Sequence, residues 1–178
     1  MDTMEKWLRL GAVHGLKYSL RVEVANRLEQ QTTVTHSFLR SMSFSDQQCR
    51  QFLNSDTSQI TLTRKWLEAD EHHFLTLNDP CYPRLLAEAS GCPLYLFVAG
   101  DPAVLSSPQI AIVGSRQCSR YGQHWTDFFA GAFSVSGFTL TSGLALGIDS
   151  VAHRAALVSG GKTIAVLGSG LLNIYPRQ

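Results

Sequence analysis

Three runs of small residues carry the most suggestive chemistry in this chain: Gly114-Ser115-Arg116, Ser142-Gly143-Leu144-Ala145-Leu146-Gly147-Ile148-Asp149, and Gly168-Ser169-Gly170. Each follows a short apolar run. Small side chains let a ligand approach the backbone and leave amide N–H groups as donors, and a helix starting just beyond adds its positive end. That is the chemistry of anion binding, above all of phosphate. Arg116 stands where a guanidinium can fork onto phosphate oxygens, and Arg177, after Tyr175-Pro176, supplies a second cation. Gly114, Ser115, Arg116, Gly143 and Arg177 are therefore the candidate contact residues. Asp149 and His153, at i and i+4, have the types needed for acid–base work, but a helix N-cap and its local partner account for the pair better.

The elements that must position these loops follow from periodicity. Ile110 to Val113, Phe138 to Thr141 and Thr163 to Leu167 are short and fully apolar or β-branched, the pattern of parallel strands buried on both faces. Between the first two, Trp125, Phe128, Phe129, Ala132 and Phe133 fall at i, i+3, i+4, i+7 and i+8, a stripe expected to pack on the sheet before Gly137 ends the helix. A second helix is expected from Ser150 to Val158, with Asp149 as N-cap and Gly160-Gly161 as terminator. The result is β-α-β-α-β, half of a doubly wound parallel Rossmann-like sheet. In such a sheet all strand-to-helix loops emerge at one edge, so the three runs converge. Arg154 and Lys162 are expected to lie away from that edge.

Upstream, residues 1–70 read as a small all-helical domain, with Trp7, Leu10, Val13 and Leu16 in its core and Leu20, Val24 and Leu28 at helical spacing. The stretch Leu10 to Leu16 resembles part of the hairpin of a helix-hairpin-helix module, with an incomplete glycine pattern. Residues 71–108 read as a connector punctuated by Pro80, Pro83 and Pro93, with strand-type runs at Phe74–Leu77 and Leu94–Val98. Residues 109–178 are the α/β part.

Composition narrows the function classes. At 178 residues, 44% apolar and 16% charged, the chain has the balance of a folded globular protein. Its net charge of +1 is uneven: −2 through residue 105 and +3 from residue 106 onward, so the positive excess sits with the candidate loops. Cys49, Cys81, Cys92 and Cys118 lack zinc-type spacing, and with no secretory segment they are expected to be reduced thiols of a cytoplasmic protein. A dinucleotide site fails on three counts. After Gly168-Ser169-Gly170, Asn173 stands where the third glycine belongs, Pro176 would interrupt the following helix, and the first strand offers only Gly114. There is no Walker-type phosphate loop and no nucleophile elbow. No cofactor or metal is expected.

The residues Ile112-Val113-Gly114-Ser115-Arg116, Tyr121-Gly122, Ser142-Gly143-Leu144-Ala145, Gly147-Ile148-Asp149, Ala152-His153, Thr163-Ile164-Ala165-Val166, Gly168, Gly170 and Tyr175-Pro176 resemble the DNA-processing protein A family, also called Smf. The resemblance is nearly continuous from Pro108 to Arg177, and the helical N-terminus is similar in kind to the sterile-alpha-motif-like (SAM-like) domain of many members. It implies a bacterial protein, not an enzyme, that binds single-stranded DNA, helps load RecA and protects incoming DNA during natural transformation, with a homodimer in the complete protein. It assigns Ser115 and Arg116 to a phosphate-contacting motif and Arg177 to the basic position after Tyr-Pro. Family members continue well past this length, so the chain is expected to be a fragment or a truncated product with an unfinished sheet. The rival reading is a nucleotide-monophosphate hydrolase of a related Rossmann-like fold, whose marker loop Pro-Gly-Gly-x-Gly-Thr does not occur here. A third reading makes the helical bundle a partner-binding scaffold.

Overall fold

A computed structural model describes residues 1–174. The chain forms two compact units, Met1–Gly100 and Asp101–Gln178. Arg177, together with Tyr175 and Pro176, lies outside the described residues.

The first unit opens with five helices, α1 (Thr3–Gly11), α2 (Tyr18–Glu29), α3 (His36–Ser41), α4 (Asp46–Leu53) and α5 (Thr57–Trp66). Polar side chains start most of them. Asp2 accepts from the Glu5 amide at 2.8 Å, and Ser45 forms a reciprocal capping box with Gln48. Their apolar faces meet in a core of Trp7, Leu10, Val13, Val24, Leu28, Leu39, Phe44 and Phe52. The α1–α2 hairpin turns at Gly15, φ +74°, but its polar groups are tied to α4: the His14 amide donates to Gln51, and Gln48 donates to the His14 carbonyl. The stretch after α5 forms an antiparallel pair, β1 (His72–Thr76) with β2 (Tyr95–Ala99), enclosing the short α6 (Arg84–Ala87). Leu94 is buried in the helical core, and Phe74, Leu77 and Tyr95 pack against it.

The second unit contains β3 (Gln109–Ala111), α7 (Arg120–Val135), β4 (Thr139–Ser142), α8 (Ile148–Val158) and β5 (Thr163–Ala165). The strands are parallel in the order β3-β4-β5, with Ile110 opposite Leu140 and Thr141 opposite Ile164. The fold is thus α/β, with a helical domain followed by a three-stranded parallel sheet. Two expectations are corrected here. Right-handed crossovers stepping in one direction place both helices on one face of the sheet. The central strand β4 is buried on both faces, but the outer strands are not: Ala111 and Ala165 are exposed, and Val113 and Val166 just beyond them are 75% and 63% exposed.

The second correction concerns α7. Of its aromatic stripe only Phe133 packs against the core: Trp125 is 39% exposed, Phe128 56% and Phe129 46%. The face turned inward carries Thr126, Ala130 and Ser134 instead. The reason is the close approach of the second helix and its terminator. A Cβ on Gly161 would meet the Ser134 Cβ at 2.7 Å, and a Cβ on Gly131 would meet the Ser159 hydroxyl at 3.2 Å, so only small residues fit between them. Ala152, Ala155 and Ala156 complete that seam, while the aromatics stack on one another, Trp125 on Phe129 at 5.6 Å and Phe129 on Phe133 at 6.1 Å.

Candidate nucleic-acid interface

The three loops leave the same edge of the sheet, and the first two touch. The link between the first and second is Gly147, whose φ of +86° is open to glycine and which lies so close to the first loop that a Cβ would overlap the Ser115 carbonyl oxygen and sit 2.7 Å from that of Arg116. Next to it the Ile148 amide donates to the Ser115 carbonyl at 3.2 Å. Gly114 is held from below, since a Cβ there would fall 2.6 Å from Ile148 Cγ1. The second loop meets the third strand where Gly143 lies within 3.9 Å of the Val166 carbonyl, measured from its would-be Cβ. Gly168, Ser169 and Gly170 then stand exposed, with open space around both glycines.

The sequence-predicted residues sit in this frame as follows. Gly114, Ser115 and Arg116 are exposed at the rim. The Ser115 hydroxyl accepts from the Gln117 amide and donates to the Gln117 carbonyl, both at 3.1 Å, a local turn that leads the chain toward α7. Arg116 has no ion pair or hydrogen bond from its side chain among the described residues. Helix α7 begins nearby with Ser119 as N-cap, accepting from the Gly122 amide at 3.1 Å, and no acidic residue occupies its first turn. Gly143 is placed differently from the expectation that its amide serves a ligand: it donates to Asp149 Oδ2 at 3.1 Å. Arg154 and Lys162 are exposed, and neither forms an ion pair among the described residues.

Asp149 is not the N-cap of α8. That position belongs to Gly147, and the Asp149 carboxylate is folded back into the loop, 7% exposed, where it also accepts from the Ala145 amide at 3.4 Å. Nor does it pair with His153. The Thr163 hydroxyl gives its proton to the Leu140 carbonyl at 2.9 Å and so accepts from His153 Nδ1 at 2.6 Å, which fixes the proton on Nδ1. Burial lowers the pKa of His153, the nearby Asp149 charge opposing this, and its Nε2 is buried without a partner among the described residues. Gly147, Ile148 and Asp149 are thus the residues that hold the site together. In the sequence, a glycine directly before an apolar helix start and the place of Gly147-Ile148-Asp149 in the family resemblance were the signals of this.

With this geometry in place, likeness to known proteins is informative. Residues 73–178 match the family described as DNA recombination-mediator protein A, and residues 1–65 match the SMF/DprA SAM domain. The chain belongs to the DprA/Smf family. It is 39% identical over 178 residues to protein Smf of Escherichia coli (strain K12), covering 100% of this chain and 47% of that one. Against the DNA processing protein DprA of Streptococcus pneumoniae (strain ATCC BAA-255 / R6) it is 31% identical over 167 residues, covering 85% of this chain and 59% of that protein. The X-ray structure of S. pneumoniae DprA superposes with a TM-score of 0.77 at 27% identity, covering 99% of this chain and 61% of that one. The chain therefore spans about half the length of these curated relatives. Among the described residues no helix is long and apolar enough to cross a membrane, and no cluster of three His, Cys, Asp or Glu could hold a metal ion.

Proposed function

We propose that the loop rim of the second unit grips the sugar-phosphate backbone of single-stranded DNA and leaves the bases largely unread. The observation that carries this reading is the physical contact of the first two Gly/Ser loops through Gly147, which brings Ser115 and Arg116 to one exposed edge beside the start of α7. An exposed guanidinium and a helix N-terminus free of acidic residues favour a polyanion there. Arg177 is proposed as a second cation of the same grip. Gly114 contributes by its lack of a side chain, and Gly143 by shaping the loop. The protein acts as a binding protein rather than an enzyme. As in the reading of its sequence, it works in the cytoplasm, protecting incoming DNA and helping to load RecA during natural transformation, with a homodimer in the complete protein. Family membership in a DNA recombination-mediator group supports this role.

Fluorescence anisotropy of a labelled oligo-dT strand, titrated with the chain at 50 and 200 mM salt, tests the reading. With about three phosphates neutralised, affinity should fall roughly twentyfold over that range, and Arg116→Ala should weaken binding about tenfold and flatten the salt dependence. Binding unaffected by Arg116→Ala, or competed equally by a nucleoside monophosphate, would overturn it.

A further inference from the structure

Asp149 places a negative charge inside a rim proposed to hold a polyanion, which by simple electrostatics should oppose binding. Its surroundings give the reason for its presence. Asp149 is buried, at 7% exposure, makes no ion pair among the described residues, and its carboxylate accepts from the amides of Gly143 at 3.1 Å and Ala145 at 3.4 Å. It thereby occupies from within the seat that these loop amides would otherwise offer to an outside anion. The loop it closes is the one whose Gly147 presses on the Ser115 and Arg116 carbonyls, and it lies in the first turn of the helix whose Ile148 amide bonds Ser115 and whose Ile148 side chain underlies Gly114. A second bond closes the same loop: the Ser150 hydroxyl donates to the Ala145 carbonyl at 2.6 Å.

Resting on the DNA-binding reading above, we infer that Asp149 is a positioning residue, an internal latch that fixes the second loop and, through Gly147 and Ile148, sets the first loop so that Arg116 is presented to phosphate. A buried carboxylate bonded by loop amides is strongly directional, and a loop that carries its own anion needs no ligand to order it. The two glycine loops then differ in role: the first meets the ligand, and the second is a brace.

The experiment compares the full chain with Asp149→Asn, Arg116→Ala and the double variant, by oligo-dT anisotropy and by melting temperature. Charge alone predicts that Asp149→Asn tightens binding. The latch predicts that it weakens binding about tenfold and flattens the salt dependence as Arg116→Ala does, because Arg116 is no longer presented to phosphate, and that the double variant binds no more weakly than Arg116→Ala alone. Tighter binding by Asp149→Asn, or additive losses in the double variant, would overturn the latch while leaving the DNA reading intact. If Arg116→Ala has no effect, the DNA reading fails, and the latch is then judged by the amide NMR signals of Ser115 and Arg116, which must shift in Asp149→Asn; unmoved signals overturn it. Should Asp149→Asn not fold, Gly143→Ala serves in its place: its Cβ would stand 3.0 Å from Asp149 Oδ2 and displace the carboxylate without removing it. An unaltered Gly143→Ala contradicts the latch.

Discussion

The two units bury opposite kinds of side chain. In the helical unit the largest residues are the most enclosed: Trp7, Phe44, Phe52, Leu10, Leu28 and Leu39 are all at or below 2% exposure. In the α/β unit the enclosed apolar residues are Leu140 and four alanines, while Trp125, Phe128 and Phe129 stand in the open. One unit is held by the burial of bulky groups between helices. The other is held by a parallel ladder and by backbone-close packing of α7 on α8, with apolar surface left over on a helix and on one sheet face. The candidate binding chemistry belongs to the second kind, because close packing of small residues is what brings the first two loops into contact.

The largest effect that sharpens this contrast is expected for Phe52→Ala. Emptying a fully enclosed aromatic site should cost about 3–5 kcal/mol and lower the denaturant midpoint of the helical unit. A loss below about 1 kcal/mol would break the comparison. An effect of intermediate size is expected from pH. Burial holds the His153 pKa below its ordinary 6.5, so the folded state resists a proton that the unfolded chain accepts. Stability of the α/β unit is then full above about pH 6.5 and declines as pH falls below it toward the lowered value, and His153→Gln should remove that part of the decline. Chemical unfolding followed by Trp125 fluorescence between pH 7.5 and 5 checks it; a decline that persists unchanged in His153→Gln would count against it. The smallest effect belongs to Phe128→Ser, expected to change stability by no more than about 0.5 kcal/mol while reducing binding of a hydrophobic dye. A loss like that of Phe52→Ala would show that the stripe is structural.

Much of the α/β unit could be read from the sequence because it is written in local terms. Short apolar runs gave the three parallel strands, and Gly137 and Gly160-Gly161 marked where the helices stop. The stripe on α7 was identified as apolar but placed on the wrong side. Periodicity finds an apolar face and says nothing about whether a partner covers it, whereas the decisive fact, that Gly161 and Gly131 admit only small neighbours, is a contact between distant residues. Asp149 was misread for a related reason. An acidic residue at a helix start looks like a cap, and only the fold shows its carboxylate turned back to Gly143 and Ala145. Strand-type runs around Phe74 and Leu94 were visible, but their packing against the core of Trp7 and Phe52 depends on contacts many residues apart. At the loop edge, Ser115 and Arg116 are exposed, as expected for residues just past the first strand, whereas the Gly143 amide is bonded to Asp149, a contact that residue type alone does not reveal.

The central claim is that the loop rim meets the DNA backbone, and the most direct test maps contacts residue by residue. Amide NMR signals of the isotope-labelled chain, followed during titration with oligo-dT, should move first and most at residues 114–116, at Gly147 and at 168–170, with the helical unit nearly silent. Perturbations concentrated in α1–α5, with the three loops unmoved, would contradict the account and pass the binding role to the helical unit.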